Sequence, residues 1–235
     1  MNINNTYTTG YVGWSPDYKS SLTLPTLSER KLFSEQTPTV KHTSKLFLIR
    51  HAESEGNVDK SVYYEKHDSE IVITKNGHEQ AKECAASLLS LTNANTIDLH
   101  VSSYIRAIQT SYYIAEEFIM DGKTVKFHEN PLLRERDWGS LRDIVDNRHL
   151  KKETHFNFYY RPDKGESYAD AYHRVVTFFT HLRCTRQPDD TSDIVIVSHG
   201  EWIRLALMHL DGFGVEHFTE NRKNPKNASI IERNF

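Results

Sequence analysis

Arg50-His51-Ala52-Glu53 and Ser198-His199-Gly200-Glu201 each follow four apolar residues in a row, Leu46-Phe47-Leu48-Ile49 and Ile194-Val195-Ile196-Val197. A neutral imidazole nitrogen is a competent nucleophile near pH 7, needs no separate base to activate it, and can hold a phosphoryl group covalently. A phosphoryl group in transfer spreads negative charge over three equatorial oxygens and demands several fixed positive donors. Arg50 adjoins His51. Arg106 lies in Ser102-Ser103-Tyr104-Ile105-Arg106-Ala107-Ile108-Gln109-Thr110, where a helix is expected to begin just past a strand. Arginine suits this task better than lysine because its planar fork bonds two phosphate oxygens together. These residue types point to phosphoryl transfer. His51 is the candidate nucleophile, Arg50 and Arg106 grip the phosphate, and His199 with the backbone N–H of Gly200 at a helix N-terminus completes the cradle.

A departing alcohol then needs a proton. Glu135 lies in Leu133-Arg134-Glu135-Arg136-Asp137-Trp138-Gly139, a charged loop that ends in a Trp-Gly turn. A partly buried carboxyl beside an incoming phosphate has its pKa raised by desolvation and like charge, which suits a general acid. Asp137 competes for the same role. Asn57, in the loop after His51, can donate an amide hydrogen bond to phosphate.

These side chains need a scaffold. From Lys45 onward, short apolar runs alternate with amphipathic stretches, the pattern of βαβ units with a largely parallel sheet. The expected strands are Leu46 to Arg50, Ile97 to Val101, Val125 to His128, Ile194 to Ser198 and Ala228 to Glu232. Ala81, Cys84, Ala85, Leu88 and Leu89 recur at the spacing of a helix face, as do Ile105, Ile108, Tyr112, Ala115 and Ile119, and Tyr168, Ala171, Tyr172, Val175, Phe179 and Leu182. All three stripes are expected to pack in the core. A fourth helix after Glu201 carries Trp202, Leu205, Leu207 and Met208. The expected architecture is a three-layer α/β/α sandwich around a mostly parallel sheet. Ligands of such sheets bind beyond the carboxyl ends of the strands, so both histidines are expected at one edge.

The chain has 235 residues, with 29 Lys and Arg against 32 Asp and Glu, a net charge of −3. That balance lacks the basic excess of a nucleic-acid binder. No apolar run exceeds four residues, far short of the roughly 20 that span a membrane, and the first 30 residues carry no signal-peptide core. The expected protein is soluble and cytoplasmic, with neither nucleic acid nor membrane as a partner. Cys84 and Cys184 make no disulfide framework or zinc motif and read as small apolar residues on helices. Residues 1–44, rich in Asn, Thr, Ser, Tyr and Pro, read as an N-terminal extension, partly ordered or disordered, ahead of a domain over 45–235.

Leu48-Ile49-Arg50-His51-Ala52-Glu53-Ser54-Glu55-Gly56-Asn57 resembles the RHG signature of the histidine phosphatase superfamily, in its phosphoglycerate mutase-like branch. Ile73-Thr74-Lys75-Asn76-Gly77-His78-Glu79-Gln80-Ala81 is similar to that family's LTxxGxxQA segment, Ser103 to Thr110 to SPLxRAxQT, and Val197-Ser198-His199-Gly200 to its second histidine. The resemblance implies a phosphoglycerate mutase-like fold. It also implies a phosphohistidine on His51, Glu135 as proton donor, a phosphate pocket of Arg50, Asn57, Arg106 and His199, a small phosphorylated substrate, and neither metal nor cofactor. Ala52 stands where glycine is usual, which is expected to narrow the pocket slightly, and Ser103-Tyr104 replaces Pro-Leu. Phe158 to Tyr168, containing Tyr160-Arg161-Pro162-Asp163-Lys164-Gly165-Glu166-Ser167, is similar to a segment of fructose-2,6-bisphosphatases and of plant and fungal phosphoglycerate mutase-like phosphatases. That likeness makes Arg161 and Lys164 candidate substrate-binding residues. No charged insert of the kind mutases carry after the acid is recognisable, which favours hydrolysis of a phosphomonoester.

Three other readings compete. A mutase would keep water from the phosphohistidine and return the phosphoryl group to a second alcohol. A non-catalytic protein of the same fold would bind phosphorylated ligands without turnover. A metal-dependent hydrolase would recruit some of the 13 histidines, yet the sheet edge offers no HxxxH or HxH pair beside a carboxylate.

Overall fold

Five strands form where the apolar runs fall: β1 (Lys45–Arg50), β2 (Thr96–Val101), β3 (Thr124–Glu129), β4 (Asp193–Ser198) and β5 (Ile230–Asn234). They make one sheet in the order β3-β2-β4-β1-β5. The first four are parallel, and β5 runs antiparallel to β1. The computed structural model describes residues 44–140, 147–187 and 189–235. Of the N-terminal extension expected over 1–44, only Ser44 is among the described residues. Its carbonyl accepts from the Phe235 N–H at 3.2 Å and its hydroxyl from Arg186 at 2.9 Å.

Helices among the described residues are α1 (Glu55–Val58), α2 (Lys75–Leu91), α3 (Ile105–Met120), α4 (Arg148–Phe156), α5 (Tyr168–Thr185), α6 (Gly200–Asp211) and α7 (Val215–Glu220). Their starts are written in side chains: Thr74 Oγ1 accepts from the Gly77 N–H ahead of α2, and Ser167 and Asp170 form a reciprocal capping box ahead of α5. α6 stops at Gly212, whose φ of 72° is left-handed.

Side chains alternate across a strand, so each central strand supplies two cores. Phe47, Ile49, Leu99, Val195 and Val197 pack against α2 and α3, whereas Leu46, Leu48, Ile194 and Ile196 pack against α5 and α6. This is the expected three-layer arrangement.

Three details differ from the sequence reading. The stripe Ile105, Ile108, Tyr112, Ala115 and Ile119 is not the core face of α3: Tyr112 and Ile119 are each 61% exposed, and the buried face is Arg106, Ala107, Thr110, Ser111, Ile114 and Phe118. Three of those six are polar, so hydrophobic periodicity selected the neighbouring stripe, where Tyr112 rests on Phe127 of β3 with ring centroids 6.0 Å apart. Cys84 is buried as expected, but Cys184 is exposed near the end of α5. The last strand begins at Ile230 rather than Ala228, because Ala228 turns through a φ of 55° while its N–H reaches the Arg50 carbonyl at 3.0 Å. β3 is a sheet edge with largely exposed side chains.

Candidate active site

Strand register brings the histidines together. β1 and β4 are paired so that Arg50 lies level with Ser198, and the His51 N–H continues the ladder to the Ser198 carbonyl at 2.9 Å. The residues one step further, His51 and His199, therefore emerge side by side, with ring centroids 5.1 Å apart. β2 ends level with them: Val101 pairs with Val197, and the Ser102 N–H donates to the Val197 carbonyl at 3.0 Å. Ser102 Oγ lies 2.7 Å from His199 Nε2, one hydrogen bond that fixes the second ring.

The tautomer of His51 follows from its partners. Nδ1 lies 2.7 Å from the Ala52 carbonyl, which can only accept, so Nδ1 carries the hydrogen and Nε2 keeps its lone pair. Arg106 Nε donates toward that lone pair at 3.3 Å. Both imidazoles are held neutral, their pKa well below the ordinary histidine value, by burial first and then by the guanidinium of Arg106. Neutral His51 can attack phosphorus through Nε2 once the Arg106 donor turns to the phosphate oxygens.

Cations surround that nitrogen. Arg106 is the second residue of α3, and one turn on Thr110 Oγ1 accepts from the Ala52 N–H at 3.0 Å and donates to the Arg106 carbonyl at 2.7 Å. Nη1 donates to Asp68 Oδ1 at 2.9 Å and Nη2 to Oδ2 at 3.4 Å, so the Asp68 carboxylate sits on the guanidinium as phosphate oxygens would. Arg50 Nη1 donates to the Pro225 carbonyl at 2.7 Å. Burial and the nearby Arg106 lower the Arg50 pKa, so an arriving dianion answers a stored repulsion. Asn57 Oδ1 accepts from Ser54 N–H at 3.1 Å and from Asn227 Nδ2 at 3.0 Å, which leaves the Asn57 amide nitrogen as its available donor.

Glu135 approaches from the loop between β3 and α4. Ser198 Oγ and Trp202 Nε1 donate to the carbonyls of Leu133 and Leu132, at 2.7 and 2.9 Å, and pin that loop to β4 and α6. Arg174 of α5 donates to the carbonyls of Leu132 and Arg134 at 2.8 and 3.0 Å. The Glu135 carboxylate accepts from the N–H groups of Arg136, Glu201 and Trp202, at 3.1, 3.3 and 3.3 Å. Burial and the neighbouring charge of Glu201 outweigh those donors and push the Glu135 pKa up to about 7. Asp137, its competitor, is exposed, and its carboxylate caps the turn by accepting from the Gly139 N–H at 2.8 Å.

These groups share a cavity of about 790 Å³ whose wall includes Arg50, His51, Asn57, Arg106 and Glu135. Sequence reading missed much of the remaining wall: Lys60, Tyr63, Lys66, His67 and Asp68 come from one loop between α1 and α2, and Trp138 and His155 lie on another side. Nothing in that loop's composition announced it, because two short 3₁₀ turns have no hydrophobic period.

Three placements differ from expectation. Arg161 and Lys164 are not brought to the cavity: the Asp170 carboxylate, fixed in the α5 capping box, captures the exposed Arg161 through Nε at 2.8 Å and through Nη2, and Lys164 occupies a turn with a φ of 56°. His199 meets His51 but is fully buried and absent from the cavity wall, as is Gly200. Tyr104, standing where leucine is usual, packs against the His199 ring at 5.1 Å and stacks under the Arg106 guanidinium at 5.0 Å, so the departure covers the second histidine. The Ala52 methyl does not narrow the cavity; it packs with Ile73 and Ala81 in a small core of its own.

A family profile described as "Histidine phosphatase superfamily (branch 1)" matches residues 46–235. The chain is similar to the phosphoglycerate mutase-like protein AT74 of Arabidopsis thaliana, 34% identical over 201 residues that make up 79% of this chain and 63% of that protein. It is also similar to the broad-range acid phosphatase DET1 of Saccharomyces cerevisiae, 33% identical over 130 residues, 49% of this chain and 38% of that one. The chain thus spans less than two thirds of the length of either relative. Its fold matches that of a mycobacterial glucosyl-3-phosphoglycerate phosphatase with a TM-score of 0.65, at 19% identity, covering 81% of this chain and 90% of that one.

Proposed function

The chain belongs to the histidine phosphatase superfamily, branch 1, and from that premise we propose that it is a metal-independent phosphomonoesterase working through a phosphohistidine on His51. The observation that carries this reading is the His51 ring itself. Its Nδ1–H is tied to a carbonyl at 2.7 Å, which leaves the Nε2 lone pair for phosphorus between two guanidinium groups.

Arg50, Arg106 and the Asn57 amide hold the phosphate oxygens, and Asp68 yields the Arg106 fork to them. His51 Nε2 attacks in line. As the P–N bond forms, the bond from phosphorus to the leaving oxygen breaks, its electron pair stays on that oxygen, and protonated Glu135 supplies the proton. Glu135, now a carboxylate, takes a proton from water as the water oxygen bonds to phosphorus. The P–N bond breaks, its electrons return to Nε2, and phosphate leaves. His199 buttresses the first ring. The cavity of about 790 Å³ has room for a phosphate ester of sugar size, and hydrolysis over return to a second alcohol is supported by the lack of a recognisable charged insert after the acid in the sequence. The cavity's mixed wall of Tyr63, Tyr104 and Trp138 with Lys60 and Lys66 supports acceptance of more than one kind of phosphate ester, in keeping with the name of the yeast relative.

Brief incubation with a phosphorus-labelled ester and quenching in alkali tests the reading. Label on wild-type protein that is acid-labile and missing from His51→Ala, with phosphate released and no acceptor alcohol added, is the expected result. Label that survives His51→Ala overturns the nucleophile, and phosphate release only when a sugar-phosphate acceptor is present overturns hydrolysis in favour of a mutase. Tight phosphate-ester binding with neither label nor turnover overturns catalysis altogether.

A further inference from the structure

Beside Glu135 lies a second carboxylate that the proposed chemistry does not use. Glu201 is the second residue of α6 and is buried. Its Oε2 accepts from Arg136 Nε at 2.8 Å and its Oε1 from the Tyr168 hydroxyl at 2.8 Å. Arg136 is buried in turn, its guanidinium stacked 4.1 Å from the Tyr168 ring centroid and 4.7 Å from that of Trp138. Arg136 and Glu201 also touch Glu135 directly, for their backbone N–H groups donate to its carboxylate at 3.1 and 3.3 Å. The three side chains Arg136, Glu201 and Tyr168, from the acid loop, α6 and α5, are thus tied together at the foot of the proposed proton donor, with Arg136 also donating through Nη1 to the Glu166 carbonyl at 3.1 Å.

A buried ion pair is a weak stabiliser, since desolvating two charges offsets most of their attraction and apolar side chains of equal volume often do as well. What such a pair does provide is a charge held in one place in a poorly screened interior. We propose that Glu201, clamped by Arg136 and Tyr168, is a positioning residue for Glu135, acting through space to set how firmly that carboxyl holds its proton. The inference rests on Glu135 being the general acid.

The groups facing Glu135 define the balance. Arg50 of β1, Arg106 of α3 and Arg136 of its own loop favour the carboxylate, and so do the first N–H groups of α6. Arg174 of α5 reaches the Glu135 carbonyl at 3.4 Å. Against them stand Asp68 from the loop between α1 and α2, and Glu201, whose charge is the stronger of the two; Tyr63, its phenol pushed up to about 12, is neutral there. Without Glu201, a helix N-terminus and several guanidinium groups would face Glu135 with little to oppose them. The proton would then be lost at lower pH, and the acid form would be scarce where it is needed. The Tyr168 hydroxyl works in the opposite sense: by donating to Glu201 it draws off part of that charge, so its removal should leave Glu135 holding its proton to higher pH.

The experiment is the pH dependence of kcat/KM for an alkyl phosphate such as glycerol 2-phosphate, measured on the full chain and on Glu201→Gln, Glu201→Asp, Tyr168→Phe and Glu135→Gln. The alkaline limb should move down by about one pH unit in Glu201→Gln, a tenfold loss at pH 8. It should return most of the way in Glu201→Asp, and move up in Tyr168→Phe. A pair of neighbours that shifts one limb in opposite directions is an electrostatic effect, because damage to packing would lower activity at every pH alike. An unmoved limb in Glu201→Gln, or shifts of the same sign in both variants, overturns the inference. If Glu201→Gln does not fold, Tyr168→Phe decides alone, since it keeps the buried ring and loses only the hydroxyl: a limb that stays or moves down is refutation. A Glu135→Gln protein that keeps the wild-type limb would instead mean that Glu135 is not the acid, whatever the other variants do.

Discussion

Replacing Glu135 by Gln removes one proton and little else. The side chain keeps its volume and an oxygen for the N–H groups of Arg136 and Trp202, and loses only the acceptor facing the Glu201 N–H at 3.3 Å. The stability cost should be about 1 kcal/mol. The kinetic cost is larger and depends on the leaving group. With its pKa near the ordinary 4.5 a carboxyl would be about 0.3% protonated at pH 7, whereas the site raises it to about 7, where about half carries the proton, a gain of roughly 150-fold in the acid form. General acid catalysis supplies about 10²–10⁴ in rate when the leaving group is a poor one. Glu135→Gln should therefore lower kcat/KM for an alkyl phosphate by about 10³, and for p-nitrophenyl phosphate, whose phenolate departs without a proton, by less than about tenfold. The same carboxylate activates water in the second step, so kcat should fall for both substrates and the phosphoenzyme should accumulate. Stopped-flow recording of p-nitrophenolate should show a burst close to one per enzyme followed by slow turnover. Equal losses in kcat/KM for the two esters, with no burst, would refute the reasoning and send the search for the acid to Asp137.

Asp68→Asn should tighten competitive inhibition by inorganic phosphate about three- to tenfold, because it removes the anion that occupies the Arg106 fork; weaker inhibition would mean that Asp68 chiefly orients Arg106. Stability in phosphate-free buffer should fall as pH drops below about 6.5, because His51 and His199 are held well below that value and His100 is lowered by burial to about 4, so the unfolded chain takes up protons that the folded one refuses. Glu135, raised to about 7, works the other way between pH 7 and 4.5, but three lowered histidines against one raised carboxyl leave stability falling with pH over this range; a urea midpoint that stays level from pH 7 to 5 would contradict this. Arg161→Ala should leave KM for sugar phosphates within about twofold of wild type, since its guanidinium serves Asp170 at the surface, and a large rise would restore it to the site. Ala52→Gly should cost about 1 kcal/mol in thermal or urea unfolding, with KM unchanged, because its methyl is buried away from the cavity.

β1 and β4 could be read directly from the sequence, because four apolar residues between polar ones have few other ways to be buried, and the matched endings Arg50-His51 and Ser198-His199 needed only a neighbouring parallel pair to meet. Glu135 was legible as a carboxyl in a charged loop, though nothing in the chain separated it from Asp137. That choice fell to α6, whose first N–H groups hold the Glu135 carboxylate, whereas Asp137, exposed on the cavity wall, spends its carboxylate on the Gly139 N–H. Periodicity misplaced the buried face of α3 because the face that counts carries Arg106, Thr110 and Ser111, and a hydrophobic pattern cannot register polar residues buried for a site. Arg161 was assigned by local likeness, whereas an ion pair nine residues along the chain decided its position. Residue types and spacing along the chain determined which chemistry was possible: an imidazole, guanidinium groups and a carboxyl at strand ends and helix starts. Register, burial and the capture of one charge by another decided which of them share a cavity and in what protonation state, because those are properties of distances between segments far apart in the chain.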